Sequence, residues 1–327
     1  MRERGLLVSI KDIAKKAGVS ISTVSYALNG SNKVTDETSS KILAIAKELN
    51  YVPNAAARNL KKRETKIVGI FLTDFRGDVY GDLLHGMKEI SNLQGYDLIV
   101  CSGEQSHKML PERMIDGAII LDQMFASEEL LKYADLGHKI VVLDRELDHP
   151  NINQVLLDNK AGATLAMEHL IELGHKKIYV VTGPEGSYDS MQRMKAVRMV
   201  SERSHDVECI EIGGNFEKTG GEKAAEQIIA EYKEPVAVFC LNDEMAIGLW
   251  NRISETDLKI GEHIHLIGFD NIELAGYMQP RLSTINYSKQ KWGALAAEQL
   301  LKLLSGDTVE NERIYVTLVR GESANRV

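Results

Sequence analysis

No run of about 18 consecutive apolar residues, the least that crosses a bilayer as a helix, occurs anywhere in the 327 residues. That excludes a helical membrane-spanning class and leaves a globular protein with ample apolar content, 44%. The start MRERGLLVSIKD lacks the long apolar core of an export signal, so a cytoplasmic protein is expected. Cysteine is scarce. Cys101, Cys209 and Cys240 are odd in number, far apart and set in apolar strand patterns, which excludes a disulfide framework and points to buried free thiols. Enzyme motifs are also lacking: there is no GxGxxG after a strand, no P-loop, no HExxH and no cysteine pair at zinc spacing. His263 and His265 alternate along a strand without a third ligand and are read as surface histidines. No catalysis, metal or cofactor is expected.

What is present is sharply divided by charge. Residues 1–66 hold 13 Lys plus Arg against 6 Asp plus Glu, a formal +7 in a chain of −8, so the remaining residues carry −15. A basic headpiece on an acidic body reads as a docking end for nucleic acid joined to a separate receptor. Within it, SIKDIAKKAGVSISTVSYALN places Ile13, Ala14, Ala17, Val19, Val24, Ala27 and Leu28 at helical spacing on two short segments. Gly18 permits the positive backbone angle of a sharp turn, and Ser20 caps the second segment. This is a helix-turn-helix pattern. Its second helix presents Ile21, Ser22, Ser25 and Tyr26 outward, as major-groove reading requires. A third helix follows, capped by Thr35, with Asp36 and Glu37 in its first turn and Ile42, Leu43, Ile45, Ala46 and Leu49 facing inward.

From Lys66 onward, apolar runs such as KIVGIFL, DGAIIL, HKIVVL, KKIYVV and IHLIGF alternate with amphipathic stretches. That alternation predicts parallel sheets with helices on both faces, in two units with a break near Asp158. Polar residues end these runs: Asp74, Ser102, Asp122, Asp144, Asp158, Asn242 with Asp243, and Asp270. Ligands of open parallel sheets bind at the carboxyl ends of the strands, and a ring of acceptors there suits a ligand rich in hydroxyl groups.

The run IKDIAKKAGVSISTVSYALNG, the segment VTDETSSKILAIAKELNY, the stretch YVPNAAARNL and the body as far as GFDN together resemble the LacI/GalR family of bacterial transcription repressors over nearly the whole chain. The resemblance implies an N-terminal all-α helix-turn-helix headpiece (1–52), a hinge helix and linker (53–65), and a two-lobed α/β body of periplasmic-binding-protein architecture. Its first lobe spans 66–157 plus 286–311 and its second 158–285 plus 312–327. It further implies that Ile21, Ser22 and Tyr26 read bases, that Asn29 contacts the DNA backbone, and that the hinge, through Asn54, Ala57 and a wedging Leu60, enters the minor groove of a palindromic operator bound by a dimer. Tyr26 departs from the family's usual Arg or His and cannot make Arg's bidentate contact to guanine.

In the body, the resemblance assigns Tyr80, Asp144, Asp189, Arg193, Phe216, Asn242 and Asp270, joined by the strand-end Asp74, to an effector, a sugar or sugar phosphate, though a purine or nucleoside fits the same fold. Some relatives bind DNA only with a co-repressor or a phosphocarrier protein, so ligand can either release or promote DNA binding. A sugar-binding receptor without a DNA role is the competing class; it has no use for the basic headpiece. Two local features remain open. CSGEQSHKMLPERMIDGAI is shorter than the family norm, and Leu83, Leu84, Met87 and Ile90 in the segment 78–93 form either core or a subunit interface.

Overall fold

The computed structural model describes residues 8–52, 64–204 and 206–325. Asn54, Ala57 and Leu60 of the expected hinge lie outside them. The chain divides into two compact units, Met1–Glu64 and Thr65–Val327.

The first unit holds α1 (Ile10–Ala17), α2 (Ile21–Leu28) and α3 (Asp36–Glu48). Gly18 ends α1 at φ 72°, and the Ser20 hydroxyl accepts from the Thr23 N–H at 3.1 Å to start α2. Ser9 and Asp12 close the front of α1, the Ser9 N–H donating to the Asp12 carboxylate at 2.8 Å. Ile13, Val24 and Ile42 are fully buried between the three helices, with Ala14, Ala17, Ala27 and Ala46 filling the gaps. Leu43 corrects the expected inward face: it is 49% exposed, because the buried stripe of α3 runs through Ile42 and Ala46 and leaves the neighbouring position outside it.

The second unit is built on two six-stranded sheets. The first contains β1 (Ile67–Leu72), β2 (Asp97–Cys101), β3 (Gly117–Leu121), β4 (Lys139–Val142), β5 (Ile152–Leu157) and β11 (Glu312–Ile314). The second contains β6 (Lys177–Val181), β7 (Glu208–Ile212), β8 (Val236–Cys240), β9 (Ile264–Asp270), β10 (Ser283–Asn286) and β12 (Thr317–Val319). Their spatial orders, β2-β1-β3-β4-β5-β11 and β7-β6-β8-β9-β10-β12, are the same pattern used twice. All neighbours are parallel except β12, which runs antiparallel to β10. Parallel strands covered on both faces account for the continuous apolar runs.

The chain crosses between the sheets after β5, after β10 and between β11 and β12. β11 pairs with β5 in register Glu312 to Val155, so residues 312–314 belong to the first lobe; the expected handover at 312 falls inside a strand, and the crossing lies at Tyr315 and Val316. The short stretch between β2 and β3 forms a six-residue 3-10 helix, Glu104–Met109. Its His107 is buried, bonded to Asp122 at 3.1 Å and stacked on Phe125 with ring centres 3.8 Å apart.

Five helices flank the sheets in the order that matters for the cleft: α4 (Val79–Leu93), α6 (Asn159–Glu172), α7 (Tyr188–Arg203), α8 (Lys218–Glu231) and α9 (Asp243–Ile253); α5 (Ser127–Asp135) covers the far side of the first sheet and α10 (Lys289–Ser305) returns to it. Leu83 and Met87 of α4 are core, while Leu84 and Ile90 are half-buried. α4 and α10 meet through Gly86 and Gly293, where a β-carbon on Gly293 would lie 1.9 Å from the Leu83 carbonyl oxygen. The partner lobe repeats the device with Gly221 and Gly248 between α8 and α9. Gly293→Ala is expected to force α4 and α10 apart and to cost about 1–3 kcal/mol in thermal unfolding. Gly81→Ala, on the open face of α4, is expected to stabilise by about 0.5–1 kcal/mol through helix propensity. Equal effects at the two sites would contradict the close-packing account.

Candidate functional site

Two surfaces concentrate the sequence candidates. In the headpiece, Ile21, Ser22 and Asn29 are exposed, and Ser25 and Tyr26 half-buried, along one side of α2. The spacing puts all five within one helical stripe. Asn29 already donates to the Ser25 carbonyl at 2.6 Å, and Lys33 lies 5.2 Å from the centre of the Tyr26 ring, which holds that ring against a positive charge.

In the body, the loops after β1, β3, β4, β6, β7, β8 and β9 open toward one another and enclose a cavity of about 660 Å³. Both sheets contribute their carboxyl ends at the position where strand order reverses, between β1 and β3 and between β6 and β8. Asp74, Tyr80, Asp144, Asp189, Arg193, Phe216, Asn242 and Asp270 all line it.

Arg193, on α7, is only 3% exposed. Its Nε donates to the Asn159 amide oxygen at 2.8 Å, an Nη donates to the Leu241 carbonyl, and the guanidinium carbon lies over the Phe269 ring, 3.6 Å from its centre. Asp270, at the end of β9, sits 4.0 Å from Arg193 Nη2 and accepts from the Tyr287 hydroxyl at 3.0 Å. Burial pushes its carboxyl up to about 6, against the pull of Arg193, Lys289 and Tyr287. Asp270 and Asn271 hold φ of 112° and 48°, left-handed conformations that side chains rarely adopt. Lys289, buried at the start of α10, donates to both their carbonyls, 3.2 Å to that of Asn271, and so ties this turn to the opposite lobe.

Asp144 is buried, which raises its carboxyl, and Arg145 grips it bidentately at 2.8 and 2.9 Å. Asp189 accepts from the Asn159 amide at 2.7 Å. Asp74 stands at the mouth, where Arg76 and the Phe75 N–H hold its carboxyl below the usual range. Arg76 also reaches Glu217 of the other lobe at 3.3 Å, and Glu146 accepts from the Tyr188 hydroxyl at 2.9 Å, so polar contacts span the mouth. Asn242 caps α9 through the Met245 N–H and donates to the Phe216 carbonyl at 2.8 Å, fixing the aromatic residue that it neighbours in the cavity. The Phe216 ring fits because position 183 is glycine: a β-carbon there would lie 2.3 Å from the ring.

Four of the strand-end residues do not line the cavity. Ser102 donates to the Thr73 carbonyl, Asp122 is spent on His107, Asp158 caps α6 through the Ala161 N–H, and Asp243 is wholly buried, accepting from Thr284 and the Ile272 N–H. Each satisfies a local backbone or side-chain donor, and the polar end of a strand serves that purpose as often as it serves a ligand. Tyr188, Tyr287 and Trp292 line the cavity without having been singled out. Tyr287 lies on the second crossing between lobes and Trp292 at the start of α10, where neither strand patterning nor a motif marks them. The adjacency of Tyr188 to Asp189 in GSYDS was the available signal for it.

His265 departs from the surface expectation: it is half-buried, with its Nδ1 2.7 Å from His175 Nε2, and the pairing with burial pulls His175 down to about 4. The cysteines are free, Cys101 and Cys240 buried and Cys209 half-buried. Among the described residues no group of His, Cys, Asp and Glu could hold a metal ion, and no helix is long and apolar enough to cross a membrane.

A family model for bacterial regulatory proteins, lacI family, matches residues 9–54, and a periplasmic binding protein-like domain matches residues 167–324. The chain is similar to the HTH-type transcriptional repressor PurR of Aliivibrio salmonicida (strain LFI1238), 33% identical over 321 residues that cover 94% of this chain and 96% of that protein. It is also similar to the solved structure of a sugar-binding transcriptional regulator (LacI family) from Enterococcus faecalis, 46% identical with a TM-score of 0.77, covering 81% of this chain and 99% of that one. A lac repressor dimer bound to operator and the anti-inducer ONPF matches at 26% identity and a TM-score of 0.83, covering 98% of this chain and 99% of its own. Headpiece, two-lobed body and their order along the chain are common to all that spans them, and the chain belongs to the lacI family of bacterial regulatory proteins.

Proposed function

We propose that the chain is a sequence-specific transcriptional repressor that binds a palindromic operator as a dimer in the cytoplasm and is controlled by a small hydroxyl-rich effector, a sugar or sugar phosphate. The observation that carries this reading is the presence, in one chain, of an exposed polar stripe on a capped helix of a basic headpiece and a cleft lined by carboxylates, a buried arginine and aromatic rings. Such a cleft accepts hydroxyl protons on its acids, donates from Arg193 and covers apolar sugar faces with Tyr80, Phe216 and Trp292.

Ile21, Ser22, Ser25 and Tyr26 read base edges, Asn29 contacts the DNA backbone, and the hinge positions Asn54, Ala57 and Leu60 engage the minor groove. Effector that binds one arrangement of the two lobes better than the other shifts the chain toward that arrangement. A differential of about 3 kcal/mol changes operator affinity more than a hundredfold. Whether affinity falls or rises with effector is read directly from an operator titration with and without it.

Ser22→Ala is expected to weaken operator binding by about 1–3 kcal/mol while salt-sensitive binding to random DNA persists. Equal loss on both DNAs, measured by fluorescence anisotropy, would remove Ser22 from the reading face. Asp270→Asn is expected to abolish the effector response while specific operator binding is retained. The sign with pH follows from the raised carboxyl of Asp270: ionised it accepts two hydroxyl protons, protonated it cannot. Effector affinity should therefore be constant above pH about 6 and fall by up to about tenfold per pH unit below it. Affinity that stays flat down to pH 4.5, about 1.5 units under that point, would take Asp270 out of the contact.

A further inference from the structure

We infer that the cleft accepts an uncharged polyhydroxy ligand and rejects its phosphorylated form, because every cationic side chain that lines the cavity among the described residues is already paired with a carboxylate of this chain. The inference rests on the effector reading above and narrows it to one of the two chemical classes that it leaves open.

The cations come first. Among the described residues, Arg76, Arg193 and Lys218 line the cavity, and each has an acid within reach: Asp74 at 2.7 Å and Glu217 at 3.3 Å for Arg76, Asp270 at 4.0 Å for Arg193, and Glu244 at 3.4 Å for Lys218. Just behind the wall, Arg145 is consumed by Asp144 and the Lys289 ammonium by the carbonyls of Asp270 and Asn271. At the inner end of the cleft, Asp144, Asp189 and Asp270 face Arg145, Arg193 and Lys289, three charges of each sign. A phosphate dianion at the inner end of the cleft therefore has to break the Arg193–Asp270 pair in a buried setting, where the separated charges are costly.

Helix N-termini are the usual anion sites of open α/β folds. Here α7 carries Asp189 in its first turn and is capped by the Ser187 hydroxyl, and α9 carries Glu244 and is capped by Asn242. Asp78 and Glu217 precede α4 and α8 without bonding their N–H groups, and α10 is capped by the Ser288 hydroxyl. At α7 and α9 the acids offset the partial positive charge that draws a phosphate. A hydroxyl-rich neutral ligand disturbs none of this, since it donates to the acids and accepts from the remaining Arg193 hydrogens without bringing charge.

The test measures thermal stabilisation and calorimetric affinity of the full-length chain for matched probes: ribose with ribose 5-phosphate, glucose with glucose 6-phosphate and glucosamine, and inorganic phosphate alone. The expected result is that a free sugar binds at least about tenfold tighter than its own phosphate ester, and that inorganic phosphate does not bind. An ester that binds as tightly as its free sugar, or glucosamine that outcompetes glucose, overturns the inference while leaving the effector reading intact. Failure of every sugar and every ester overturns both. Asp189→Asn keeps the hydrogen bond from Asn159 but removes one negative charge beside Arg193, and is expected to shift the preference toward the ester by about tenfold. A preference that is present in the parent chain and unmoved by this substitution would mean that charge balance is not its source.

Discussion

Arg193 lies at the back of the cleft with its guanidinium over the Phe269 ring, donating to the Asn159 side chain and the Leu241 carbonyl and paired in charge with the Asp270 carboxylate. An ion pair this deep persists only if its remaining hydrogen-bonding capacity is met, since an uncompensated buried charge costs about 3–5 kcal/mol. The surrounding residues follow from that constraint. Asn159 also supports Asp189, Tyr287 supports Asp270, and Lys289 holds the strained turn at Asp270 and Asn271. These partners come from β9, α6, α7 and the second crossing, so the same network that steadies the arginine joins the two lobes.

That placement gives effector binding a mechanical route. Lys289 begins α10, which belongs to the first lobe and packs closely on α4, while the carbonyls that it holds belong to the second lobe. A ligand that takes over part of the Asp270 carboxylate competes with the Tyr287 hydroxyl and changes what the crossing segment must satisfy. Since packed cores shift between discrete arrangements rather than deform smoothly, the Lys289 link is the path by which the proposed effector contact at Asp270 reaches the setting of the two lobes. Arg76 with Glu217 and Glu146 with Tyr188 span the mouth as exposed contacts, weak enough to be remade in either arrangement.

Much of this was legible beforehand where a residue's role is local. Gly18, Ser20 and Thr35 act on their own backbone neighbours, and the headpiece helices and the long parallel strands follow the apolar spacing. Of the eight cavity residues, Asp74, Asp144, Asn242 and Asp270 were marked by strand ends and Tyr80, Asp189, Arg193 and Phe216 by family resemblance alone, and they converge on one cleft because β-strand ends converge in this topology. Periodicity could not distinguish Asp144 and Asp270, which line the cavity, from Asp122, Asp158 and Asp243, which serve His107, a helix cap and a buried threonine, because the distinction lies in partners distant in sequence. The same blindness hid Arg145, Tyr287 and Lys289. The strands β10, β11 and β12 are too short for patterning to declare, and the exposure of Leu43 is a difference of one position on a helix face.

The central claim is that occupancy of the cleft and grip on DNA are two readings of one equilibrium. Thermodynamic linkage makes this directly measurable: the factor by which a saturating effector changes operator affinity must equal the factor by which saturating operator changes effector affinity. Calorimetric titration of effector into the free chain and into the operator complex, set beside operator titrations with and without effector, gives both factors. The account predicts equal factors that differ from one. An effector that binds the free chain and the operator complex with the same affinity would contradict it.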